Sequence, residues 1–103
     1  MGWIRIWSYV ARVRTLTTLR RVDGSRKGII LRFLKEAELI AGGESAIISL
    51  YWADLTDAYL HGADLRDLNL KRVDFFNADL SMADMRKQIY VRPKYQRIFK
   101  ELT

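Results

Sequence analysis

A large apolar residue returns at every fifth position from residue 50 to residue 85: Leu50, Leu55, Leu60, Leu65, Leu70, Phe75, Leu80 and Met85. A helix repeats near 3.6 residues, so steps of five would carry these side chains right around its axis. A strand repeats at two, so successive members would point to opposite faces. Two residues before each lies a second apolar residue: Ile48, Ala53, Ala58, Ala63, Leu68, Val73, Ala78 or Ala83. Between them sits a polar place, most often aspartate: Ser49, Asp54, Tyr59, Asp64, Asn69, Asp74, Asp79 and Asp84. A chain that takes two inward-facing steps, turns a corner and repeats satisfies this pattern. Four corners close a square coil, and stacked coils form a solenoid.

Stacking places residues 20 apart above one another. Ile48 and Leu68, the bulkiest residues at the alanine place, then share a face, and Val73 sits on Ala53. The tandem A-D-L-x-x units, here ADLTD, AYLHG, ADLRD and ADLSM, resemble the pentapeptide-repeat family. The resemblance covers residues 48–87. It implies a right-handed quadrilateral β-helix with the central Leu or Phe and the preceding Ala inside. The expected fold is therefore mainly β with α caps: a short β-helix of about two coils preceded by N-terminal helices.

Two coils leave two open ends that need covers. Residues 25–41, SRKGIILRFLKEAELIA, read as a helix with Ser25 as N-cap, an apolar stripe of Ile30, Phe33, Leu34, Ala37 and Ile40, and Gly42-Gly43 as its end. This helix is expected to cover the first coil. Beyond Pro93, Tyr95, Ile98, Phe99 and Leu102 suit a short amphipathic turn over the last. The organisation is thus 1–24 basic amphipathic arm, 25–47 capping helix and linker, 48–87 repeats, and 88–103 C-terminal cap or tail. The stretch TLTTLRRVDGSRKGIILRFLKEAELI, 15–40, also resembles the segment preceding the repeats in a bacterial, largely cyanobacterial, group of the family. Val22 and Lys35 depart from that group's pattern, and the resemblance implies no activity.

The 103-residue chain carries 18 Lys and Arg against 12 Asp and Glu, and has no cysteine. That composition excludes disulfides and thiolate metal sites. Residues 1–47 hold nine cations and four anions (+5), the repeats five and seven (−2), and the tail four and one (+3). An acidic centre lies between basic flanks, which favour an anionic partner. Arg5 and Arg12 interrupt the only candidate for a membrane span of roughly 20 residues, and they also break any signal-peptide apolar region.

Residues 3–13 divide on a helical wheel. Trp3, Ile4, Ile6, Trp7, Val10, Ala11 and Val13 fill one half, and Arg5, Ser8, Tyr9 and Arg12 the other. Tryptophan opposite arginine suits a helix lying in a membrane interface; packing on the chain's own cap or on a partner subunit suits it equally. The docking residues of this arm are Trp3, Ile4, Arg5, Ile6, Trp7, Val10 and Arg12. A second surface comes from Tyr51, Trp52 and Phe76, aromatics at outward places, with Lys71 and Arg72 stacked above Tyr51 and Trp52. They make an apolar and cationic patch on one corner, unless the arm folds back over it.

No catalytic, metal or cofactor site is expected. The single histidine, His61, has no second histidine or cysteine with which to build a metal centre or triad. The recurring aspartates serve the turns. The expected role is a non-catalytic scaffold or accessory subunit that docks through its arm on an anionic membrane surface or a membrane protein complex. A photosynthetic assembly is one attractive host. The place is intracellular, peripheral at the cytoplasmic face of a thylakoid or plasma membrane. The alternative implied by the family is a DNA mimic that binds topoisomerases, and nucleic-acid binding through the basic flanks stands third.

Overall fold

A computed structural model of the chain describes residues 2–42 and 46–86, with side chains from residue 5 onward. The expected C-terminal cap at Tyr95, Ile98, Phe99 and Leu102 lies outside the described residues, as does Gly43. Helix α1 spans Gly2–Arg21 and helix α2 spans Gly24–Glu36.

From Ile48 onward the chain turns every five residues and comes back upon itself after 20. Parallel bridges join Asp54 to Asp74, Tyr59 to Asp79 and Asp64 to Asp84. We call residues 48–67 the first round and 68–86 the second. Leu55 N–H donates to the Asp74 carbonyl at 2.9 Å, and Asp74 N–H returns to the Ala53 carbonyl at 3.0 Å. The same pattern recurs at Leu60 with Asp79 and at Leu65 with Asp84. Each contact is a single bridge, because a five-residue repeat spends its remaining residues on the corner. Among the described residues, continuous regular structure is therefore helical.

At Ala53, Ala58, Ala63, Val73, Ala78 and Ala83 the corner is closed by a turn bond from the alanine place to the central carbonyl of the preceding repeat, such as Ala53 N–H to Leu50 O at 2.8 Å. The residue two after the central one takes positive φ throughout: Trp52, Asp57, Gly62, Asp67, Arg72, Asn77 and Met82, between 61° and 70°. Glycine, asparagine and aspartate tolerate this left-handed region. Trp52, Arg72 and Met82 do so at a cost.

The core follows the repeat. All eight central residues are buried, from Leu50 to Met85, together with Ile48, Ala53, Ala58, Ala63, Leu68, Val73 and Ala83. On the fourth side no bridge links Ser49 to Asn69. The lead-in occupies that place: Ala41 bridges Leu68 in antiparallel sense, and Gly42 N–H donates to Asp67 O.

The capping helix departs from its expected register. Asp23, not Ser25, is the N-cap, accepting from Arg26 N–H. The helix stops at Glu36, ahead of the glycines. Leu39 N–H bonds to Leu34 O and Glu38 N–H to Lys35 O around a left-handed Glu38, which is a Schellman end without glycine. Its buried residues are Lys27, Gly28, Leu31 and Leu34. Of the expected stripe, Phe33 is 62 % exposed, Ala37 is exposed and Ile30 is half-buried, while Leu34 and Ile40 are inside. Close approach explains the rotation. A Cβ on Gly24 would collide with the Asp57 carbonyl, and one on Gly28 with the Tyr59 carbonyl. Glycines at i and i+4 therefore let the helix lie directly on the backbone of the first round.

Candidate docking surfaces

In the second round the corner carbonyls Lys71, Phe76, Ser81 and Arg86 accept from amides of the first: Trp52, Asp57, Gly62 and Asp67. The equivalent carbonyls of the first round have no earlier round to serve them. Four long cations from the helices take that part. Arg12 reaches Tyr51 O at 2.8 Å, Lys27 reaches Thr56 O at 3.0 Å, Arg32 reaches His61 O at 2.8 Å, and Lys35 reaches Arg66 O at 2.7 Å. One cation thus closes each corner, with charge-assisted bonds. The charge of the N-terminal flank is partly consumed inside the molecule. Sequence reading missed this role, though the spacing of Lys27, Arg32 and Lys35 on one helix is its trace.

Lys27 is 5 % exposed and its ammonium is fully used, by Thr56 O, Thr56 Oγ1 and Asp54 Oδ1 at 3.0–3.1 Å. Burial pushes the Asp54 carboxyl up, but bonds from Thr56 and Lys27 hold it below the usual range. At the polar places the side chain accepts the amide two residues on: Ser49 from Tyr51, Asp54 from Thr56, Asp64 from Arg66, Asn69 from Lys71, Asp74 from Phe76, Asp79 from Ser81, and Asp84 from Arg86. The aspartates serve turns, as expected. Bonds from the Arg66 side chain hold Asp64 far below the ordinary carboxyl range, and Ser81 and Arg86 lower Asp79 and Asp84.

The arm is turned opposite to intuition. α1 sets its Ser8, Arg12 and Thr15 side half-buried, with Ala11 and Leu16 packed on the core and Leu19 fully inside. Ile6 is 63 % and Trp7 64 % exposed, Tyr9 and Val13 are exposed as well, and Val10 is half-buried. Of the half read as apolar, Ile6, Trp7 and Val13 thus face away from the chain's own domain, whereas Ala11 packs on it. Arg12, expected to dock a partner, is engaged with Tyr51. Arg5 is exposed, and the side chains of Trp3 and Ile4 lie outside the described residues.

The arm does not cover the second surface, where Trp52 is 58 % and Phe76 61 % exposed. Trp52 meets Tyr51 edge-on at 5.8 Å, and the Arg72 guanidinium lies 5.3 Å from the Trp52 ring centre. Trp52 N–H also donates to Lys71 O, so Lys71 and Arg72 stack on Tyr51 and Trp52 as expected. Phe76 does not join them. It stands on the next corner, where Asp57 N–H bonds to its carbonyl, because five residues advance the chain by one full side.

His61 stacks on Tyr59 at 6.2 Å, and Arg32 lies over the same tyrosine at 5.7 Å. Among the described residues no group of three or more His, Asp or Glu side chains could hold a metal ion. No helix there is long and apolar enough to cross a membrane. A family model, pentapeptide repeats, matches residues 53–87 in eight copies. No curated protein and no solved structure matches the chain.

Proposed function

Because residues 53–87 make this chain a member of the pentapeptide-repeat family, whose proteins are generally non-catalytic, we propose that it is a scaffold or accessory subunit. In this reading the repeats form about two coils of a right-handed quadrilateral β-helix, and α1 docks that body on a membrane surface or membrane complex. One observation carries the reading. α1 packs Ala11, Leu16 and Leu19 on its own domain and still leaves Ile6, Trp7, Tyr9 and Val13 outward. An amphipathic helix so turned has an unspent apolar face next to exposed arginines, which suits an interface of lipid or of membrane protein. A photosynthetic membrane assembly is the host we favour, at the cytoplasmic face.

The topoisomerase-binding alternative is less well supported, since Lys71 and Arg72 interrupt the acidic surface that a DNA mimic needs. Cell fractionation tests the docking reading. Ile6→Ser with Trp7→Ser should move the protein from the membrane fraction to the soluble one without changing its melting temperature. A wild-type protein found wholly in the soluble fraction overturns it.

A further inference from the structure

The corner built from residues 49–52 and 69–72 differs from the others in charge. The second corner carries Asp54, Asp57 and Asp74, the third Asp79, and the fourth Asp64, Asp67 and Asp84. The first carries none. Ser49 and Asn69 stand at its polar places and make the same turn bonds without charge, at 3.2 Å each. The consequence falls on the cations. Arg66 and Arg86 are paired with Asp64 and Asp84 at 2.9 and 2.7 Å, whereas Arg72 has no ion pair among the described residues and lies against Trp52.

Both side chains are held at a cost. Trp52 has φ 70° and Arg72 φ 61°, where a large L-residue is strained. Met82 on the third corner shares that strain, and Asp57, Gly62, Asp67 and Asn77 fill the other equivalent places. Among the described residues only the first corner has a large residue there in both rounds. Strain retained on an exposed pair points to use and not to packing. The corner also adjoins α1 through the Arg12 bond to Tyr51 O. α1 contains no acidic residue, and its Arg5, Arg14 and Arg20 are exposed.

We infer that the Trp52–Arg72 corner is a second membrane contact, which receives an anionic phospholipid headgroup when α1 lies in the bilayer interface. The inference rests on the docking reading above. A guanidinium held over an aromatic ring offers its planar fork to a phosphate with little further ordering, and tryptophan settles at headgroup level. The apolar residues of α1 select a bilayer over a nucleic acid, because a phosphate backbone gives Ile6 and Val13 nothing to pack against.

The test is sedimentation of the full chain with vesicles of equal parts phosphatidylglycerol and phosphatidylcholine, against pure phosphatidylcholine. Arg72→Gln should weaken binding to the anionic vesicles about fivefold, the equivalent of about 1 kcal/mol per cation, and leave the neutral ones unaffected. Trp52→Gly should weaken binding while holding or raising the melting temperature, since glycine suits that φ. Wild-type affinity in both corner variants, with loss in Ile6→Ser/Trp7→Ser, overturns the corner and leaves the arm standing. The reverse result sinks the arm and keeps the corner. A wild-type chain that ignores anionic vesicles overturns the inference and leaves docking to an acidic protein surface.

Discussion

At the residue scale, the decisive side chain is Lys27. It is buried against Asp54 at 3.1 Å and holds the Thr56 carbonyl, so Lys27→Met strands acceptors beneath α2. Removing one member of a buried pair costs about 3–5 kcal/mol. The partial exposure of Asp54 should reduce this to about 2–3 kcal/mol, read from urea unfolding. Arg26→Ala breaks only an exposed pair with Asp23 and should cost less than about 1 kcal/mol. The aspartates predict an acid limit. Side-chain bonds from Arg66, Ser81 and Arg86 hold Asp64, Asp79 and Asp84 below the ordinary carboxyl range in the folded state. The unfolded chain therefore binds protons first as pH falls, and their stabilisation is present above about pH 4 and lost below it. Melting temperature should hold from neutral pH down to about 5 and then fall. Asp79→Asn keeps an acceptor for the turn and should flatten that fall.

At the scale of elements, α2 is held by approach and not by an apolar stripe alone. Alanine normally stabilises a helix interior by about 1 kcal/mol over glycine. At Gly28 the sign should reverse, with Gly28→Ala costing about 2–3 kcal/mol, because the new methyl meets the Tyr59 carbonyl. Gly62→Ala has open space but sits at φ 69°, and about 1–2 kcal/mol of left-handed strain is expected. Thermal unfolding of the two variants separates collision from conformation. A stabilised Gly28→Ala would show that α2 does not rest on the first round.

For the molecule as a whole, stability depends on the cap and the repeats together. Leu19, Leu31 and Leu34 lie in one core with Leu55, Leu60 and Leu80. Leu60→Asp should abolish the cooperative transition seen by circular dichroism, because an unpaired carboxylate would be buried; Phe76→Asp, on an exposed corner, should leave it intact. Removing residues 2–36 should likewise prevent soluble folding, since it strips four cations from the corner carbonyls as well as the apolar cover. The sequence by itself determined the period, the inward residues and the 20-residue stacking, because a repeat declares its geometry whenever each unit meets the same environment. It also determined the outward place of Trp52 and the turn role of the aspartates. Only the tertiary structure decided what α1 and α2 turn inward. Their sequences offer more than one amphipathic face, and the choice went to glycines that admit a carbonyl and cations that reach one. Those gains exist only once the first round is there to present its unserved corners.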